Sequence, residues 1–316
     1  MTTPSGRQIR LSHADQELTV VEVGGGIRTY VARGISVIDG YDDFEMCSGG
    51  RGQLLAPWPN RLGDGCFEWQ GRRHQTPLSE PENHNAIHGL VRWLAWTVSS
   101  IGEAELRLTC RLHAQPGWPW TLDFEVTYVL GERGLHVRTA IANVSAPELG
   151  SCPFGIGWHP YLAAFGGLVD DVLLTIPAGQ AYRSDGRGLP TGKYAVEGTG
   201  LDFRRGHPVG HARLDTAFTD MRPGLDGRSA IEMVPADEKH EIEPSRGVKL
   251  WMDSAYTHVM IYSGDTLGEP LRRRQGLAIE PMTCAPDMLR SGDGRLVLEC
   301  GHTFDAAWGL EPFSLM

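Results

Sequence analysis

Three ionisable side chains in this chain sit in apolar surroundings. Glu280 follows Gly276-Leu277-Ala278-Ile279 and precedes Pro281. An ionised carboxylate at the end of an apolar run is costly unless something pairs or uses it. His88 lies in Ala86-Ile87-His88-Gly89, and His159 in Gly157-Trp158-His159-Pro160. Desolvation raises a carboxylate from its ordinary pKa of about 4.3, and imidazole titrates near about 6.5, so such groups can exchange protons near neutrality. One carboxylate and two imidazoles held in this way point to acid–base catalysis rather than to a passive scaffold. A plainer role is open to each: Glu280 as the buried partner of an arginine, the histidines as hydrogen-bonded core or turn residues.

Other polar residues could attend them. Asn60-Arg61 follows Pro57-Trp58-Pro59. A guanidinium there can fork onto sugar hydroxyls or a carboxylate, or close a loop salt bridge. Asn85 precedes His88 by three residues and can present its polar tip beside it. Trp158 and Tyr161 frame His159, and Trp158 is expected to stack near a ligand. Asp215, in Arg213-Leu214-Asp215-Thr216, can accept from a hydroxyl or cap a turn. No histidine pair at zinc-ligand spacing falls in a helical pattern, and there is no close Cys/His cluster. A G-x-S-x-G elbow and a Walker loop are also absent.

The elements that must position these groups are strands. Leu122, Phe124, Val126 and Tyr128 alternate with Asp123, Glu125 and Thr127, and residues 104–112 and 135–143 alternate in the same way. This period of two predicts half-buried antiparallel strands, with Gly131-Glu132-Arg133-Gly134 as a tight connection. Further strands are expected at 17–23, 27–32, 65–70, 91–98, 171–176, 229–234, 248–252, 257–263, 277–280 and 295–299, and a last one over 304–309. Forty glycines and twenty prolines punctuate the chain. No amphipathic helix exceeds about three turns and no βαβ pattern occurs, which excludes a Rossmann or TIM architecture. The expected fold is all-β, a large antiparallel β-sandwich in one domain spanning 1–316. Residues 177–211, rich in Gly, Arg and Pro, are expected to form long loops across one end.

Bulk properties narrow the function. A net charge of -10 argues against nucleic acid or an anionic membrane as partner. The N-terminus carries no apolar signal segment, and no apolar run is long enough to span a membrane. Six widely spaced cysteines without a C-x-x-C pair fit a reduced, cytoplasmic protein.

With these residues in order, the chain resembles the aldose 1-epimerase, or galactose mutarotase, family from about residue 15 to the C-terminus. The resemblance rests on Pro59-Asn60-Arg61, Asn85 with Ile87-His88-Gly89, Gly157-Trp158-His159-Pro160-Tyr161, Leu214-Asp215 and Ile279-Glu280-Pro281. It implies a galactose mutarotase-like supersandwich with an open sugar cleft. It also implies interconversion of α and β anomers of a free aldohexose without metal or cofactor. By this carry-over Glu280 is the general base at the C1 hydroxyl and His159 the general acid at the ring oxygen. His88 supports the transition state, and Asn60, Arg61, Asn85 and Asp215 bind sugar. His88-Gly89 is followed by Leu90-Val91-Arg92, and Met260 stands where galactose-handling members often carry a glutamine. Arg61 and Arg92 together suit a phosphorylated or acidic sugar, so a hexose-6-phosphate 1-epimerase is the rival reading. A carbohydrate-binding protein without catalysis is another. A monomer or homodimer is expected.

Overall fold

The computed structural model describes residues 2–236 and 246–314. Its strands build two large antiparallel sheets. The nine-stranded sheet includes Glu105–Leu112, Leu122–Gly131, Gly134–Asn143, Thr303–Ser314 and Arg246–Met252 as consecutive neighbours. Leu122, Phe124, Val126, Tyr128 and Leu130 are buried and the residues between them are not, so the alternation read from sequence sets which face enters the core. The eight-stranded sheet runs Pro190–Ala195, Ala178–Ser184, Asp215–Met221, His258–Tyr262, Gly276–Met282, Gly157–Trp158 and Leu54–Leu55, with Tyr161–Ala163 also paired to Gly276–Met282.

The two sheets meet through large apolar side chains. Trp158 of the eight-stranded sheet packs on Trp308 of the other at 5.7 Å between ring centroids, and edge-on to Tyr128 at 6.1 Å. Its indole N–H donates to Thr139 Oγ1 at 3.1 Å, which satisfies the one polar atom the ring brings inside. Phe154 meets Phe304 in the same layer. Among the described residues no helix is long and apolar enough to cross a membrane.

Two expected elements differ. Residues 91–98 do not form one strand: the chain turns at Val91–Leu94, where Leu94 N–H donates to Val91 C=O at 3.2 Å, and the strand begins at Thr97. Trp93 and Leu94 belong to that turn, so the apolar residues there lack a period of two. Residues 177–211 are not simply loops. Ala178–Ser184 and Pro190–Ala195 pair as a hairpin at the edge of the eight-stranded sheet. Four of the six residues of the outer strand are exposed, which is why composition read as loop.

Candidate active site

A cleft of about 500 Å³ opens on the face of the eight-stranded sheet that looks away from the other sheet. Strand register builds its floor. Asp215 pairs with Tyr262, Tyr262 with Ala278, Met260 with Glu280 and Tyr161 with Ala278, so these side chains share one face. Ile279 lies on the other face and joins the core between the sheets. The same alternation separates Trp158 from His159. The histidine enters the cleft, whereas Trp158 is fully buried between the sheets. The expected stacking of Trp158 on a ligand is therefore corrected: adjacent residues in extended chain point to opposite faces.

Glu280 and His159 meet on this floor. His159 Nε2 lies 3.4 Å from Glu280 Oε1, and both side chains are buried. His88 stands edge-on to His159 with 5.2 Å between ring centroids. The Asn60 backbone N–H donates to His88 Nδ1 at 3.2 Å, so a neutral ring carries its proton on Nε2. Asn60 and His88 each hold a left-handed backbone, and His88 N–H returns a bond to Asn60 C=O at 2.9 Å. That reciprocal pair fixes the imidazole through main chain. Tyr161 stacks on His159 at 5.0 Å and 11°, and the Arg51 guanidinium lies over the Tyr161 ring at 4.4 Å. Gly50 packs directly against the imidazole: a Cβ there would lie 2.9 Å from His159 Cδ2.

Burial sets the protonation states. It pushes Glu280 well above the usual carboxylate range, Asp215 adds to the rise, and Arg61 opposes it. It pulls His159 down to about 3, with the Arg92 and Arg51 charges acting in the same direction. It depresses His88 as well. Both shifts favour a single proton on the pair, carried by the carboxyl beside a neutral imidazole. Glu280 Oε2 and His159 Nδ1 are buried without a hydrogen-bond partner among the described residues. Buried polar atoms are rarely left so unless a ligand or water completes them.

The sugar-binding candidates divide. Arg61 reaches Glu80 with Nε at 3.0 Å and Nη2 at 3.1 Å, and its Nη1 lies 3.6 Å from Asp215 Oδ2. Arg61, Asp215 and Arg92 all border the cleft. Asn60 borders it too, but its side-chain oxygen already accepts from the Arg61 backbone N–H at 2.8 Å. Asn85 sits behind the wall. Its amide donates to Glu80 Oε2 at 2.8 Å and to Arg187 C=O at 3.0 Å, so it orients Glu80 rather than facing the cleft.

Sequence reasoning missed Glu80, Arg51, Gly50 and Tyr262. Nothing local distinguishes them, because each acts on a residue distant in the chain. Only the Gly49-Gly50 doublet carried a signal, as a place where backbone can approach closely. Among the described residues no group of three His, Cys, Asp or Glu side chains is arranged to hold a metal ion.

Comparison with known proteins agrees with this architecture. The family model for aldose 1-epimerase matches residues 7–310, and the chain belongs to that family. It is 32% identical over 298 residues to the uncharacterized protein YihR of Escherichia coli K12, covering 94% of this chain and 90% of the relative. A solved GalM/aldose epimerase homologue from C. elegans superposes with a TM-score of 0.83 at 17% identity, covering 98% of this chain and 99% of that one. Galactose 1-epimerase from Lactobacillus acidophilus superposes with a TM-score of 0.79 at 18% identity, covering 98% and 95%. At such identities these two structures establish the shared fold.

Proposed function

We propose that the protein interconverts the α and β anomers of an aldohexose through the open-chain aldehyde. The observation that carries this reading is the buried Glu280–His159 pair, 3.4 Å apart on the floor of a sugar-sized cleft. Ring opening removes the proton from O1, breaks C1–O5 and adds a proton to O5. The proton count of the site is unchanged. A carboxyl and an imidazole that together hold one proton can do both halves of this work.

Glu280 takes the O1 proton and His159 delivers one to O5. For that distribution the resident proton crosses from Glu280 to His159. A sugar hydroxyl donating to the carboxylate, and Arg61 nearby, favour the crossing by stabilising the anion. The neutral His88 donates from Nε2 toward the ring-oxygen region, and Arg61 and Asp215 engage ring hydroxyls. Rotation about C1–C2 exposes the other face of the aldehyde, and the same groups in reverse close the ring.

Polarimetry on fresh α-D-glucose and α-D-galactose in dilute buffer tests this. Enzyme-dependent acceleration of the approach to equilibrium is the expected result. Folded protein that binds these sugars without accelerating the change would turn the reading into a non-catalytic binder.

A further inference from the structure

The two arginines of the cleft differ in standing. Arg61 is engaged by Glu80 and Asp215. Arg92 has no acidic side chain within ion-pair distance among the described residues. Its Nε is buried with no acceptor among the described residues, and its guanidinium lies over the Trp93 ring at 5.5 Å. The turn carrying it is pinned, since the Gln53 amide donates to Arg92 C=O at 2.9 Å. Burial lowers its pKa, yet a guanidinium remains charged. A half-buried cation without a counter-ion is unfavourable by itself, and a cleft is where a ligand can supply one.

Its place relative to the reacting groups narrows that ligand. Gln53 ties Arg92 to His159: its backbone C=O accepts from His159 N–H at 3.1 Å and its side-chain amide donates to Arg92 C=O, whereas Arg61 is held at Asp215. His88 stands beside His159, with 5.2 Å between ring centroids. The carboxylate end of the cleft is thus the Asp215, Arg61 and Glu280 side, and Arg92 flanks the imidazoles. In an aldopyranose the ring oxygen is bonded to C1 on one side and to C5 on the other, and C5 carries C6. With O1 at Glu280 and O5 at His159, the imidazole side faces C5 and C6.

Resting on the epimerase reading above, we propose that Arg92 recognises a singly charged oxyanion on C6, so that the preferred substrate is an anionic aldohexose. The charge count favours one negative charge over two. The nearby Arg51 is already paired with Asp39 at 3.3 Å, and Glu82 and Glu269 lie exposed on the cleft lining. A phosphate dianion would leave its second charge without a cation. A carboxylate or sulfate matches the single fork of Arg92.

The test compares kcat/KM for glucuronate, glucose 6-sulfate, glucose 6-phosphate and glucose by NMR anomer exchange, in wild type, R92Q and R92K. The monoanions are expected to exceed glucose by about tenfold or more, as charge-assisted hydrogen bonds allow. R92Q is expected to bring the ratio within about threefold of unity, and R92K to keep part of it because the charge stays and the fork is lost. Each ratio is internal to one variant, so partial misfolding cancels. Equal or better turnover of glucose, or a ratio unchanged in R92Q, overturns the proposal. Glucose 6-phosphate exceeding both monoanions overturns the single-charge assignment. If no sugar is accelerated the epimerase reading fails, and calorimetry decides the rest. Tighter glucuronate than glucose binding that is lost in R92Q sustains the anion site, and equal binding removes it.

Discussion

Replacing Glu280 with glutamine separates catalysis from folding in one variant. The amide has the same shape as the carboxyl and can still donate to His159 Nε2 across the 3.4 Å gap. It cannot take a proton from O1. Loss of a positioned general base typically lowers the rate by about 10²–10⁴-fold, or roughly 3–5 kcal/mol of barrier. KM should move by only a few fold, because Arg61, Asp215 and His88 remain. Stability should move the opposite way. Burial raises Glu280 well above its ordinary value, so the folded state keeps a proton that the unfolded state loses. As pH rises above the ordinary carboxylate pKa of about 4.5, the folded state then binds more protons and native stability declines. E280Q lacks this term. Its Tm is expected to exceed that of wild type by a margin that grows from pH 5 to pH 8. Polarimetry in dilute buffer gives the rate, and differential scanning fluorimetry across pH gives the second readout. A rate within tenfold of wild type would remove Glu280 from the chemistry. A Tm difference independent of pH would refute the account of its protonation.

The remaining predictions concern the same floor. Since burial pulls His159 toward about 3 and raises Glu280, the one-proton state of the pair spans the region between them. kcat/KM extrapolated to zero buffer is expected to stay level from about pH 5 to 7, with activity falling only when a second proton enters the pair at low pH. An acid limb near pH 6.5 would contradict this. Gly50 has φ +74° and almost touches His159, so G50A both strains the backbone and displaces the ring. It should lower kcat/KM by about 10–100-fold with an unchanged far-UV spectrum, and near-wild-type turnover would show that the ring tolerates the shift. Trp158→Phe removes the bond to Thr139 and some core volume, and should destabilise by about 1–3 kcal/mol while the folded enzyme keeps its activity within about threefold. A selective rise in KM would instead return Trp158 to the sugar.

By itself the sequence determined the class of structure and singled out the ionisable groups that line the cleft floor. The period of two over 104–112, 121–130 and 135–143 became the neighbouring strands of the nine-stranded sheet, because alternation is a local consequence of the extended backbone. An ionisable side chain inside an apolar run is anomalous wherever the chain folds, so Glu280, His159 and His88 were visible without coordinates. What lies near them was not. Trp158 and His159 are neighbours in sequence and opposites in space, and only the pairing of Gly157 with Leu55 and Met282 decides which face holds the cleft. Asn85 looks like a cleft residue beside His88, yet the pairing of Gly63 with Asn85 sets it behind Glu80. The hairpin within 177–211 was hidden because an exposed edge strand carries no apolar stripe. Above all, the difference between Arg61, held by two carboxylates, and Arg92, held by none among the described residues, is a matter of residues far apart in the chain. Local chemistry names the groups able to react. Long-range register buries them and so shifts their proton affinities, and long-range ion pairing distinguishes the two arginines beside them.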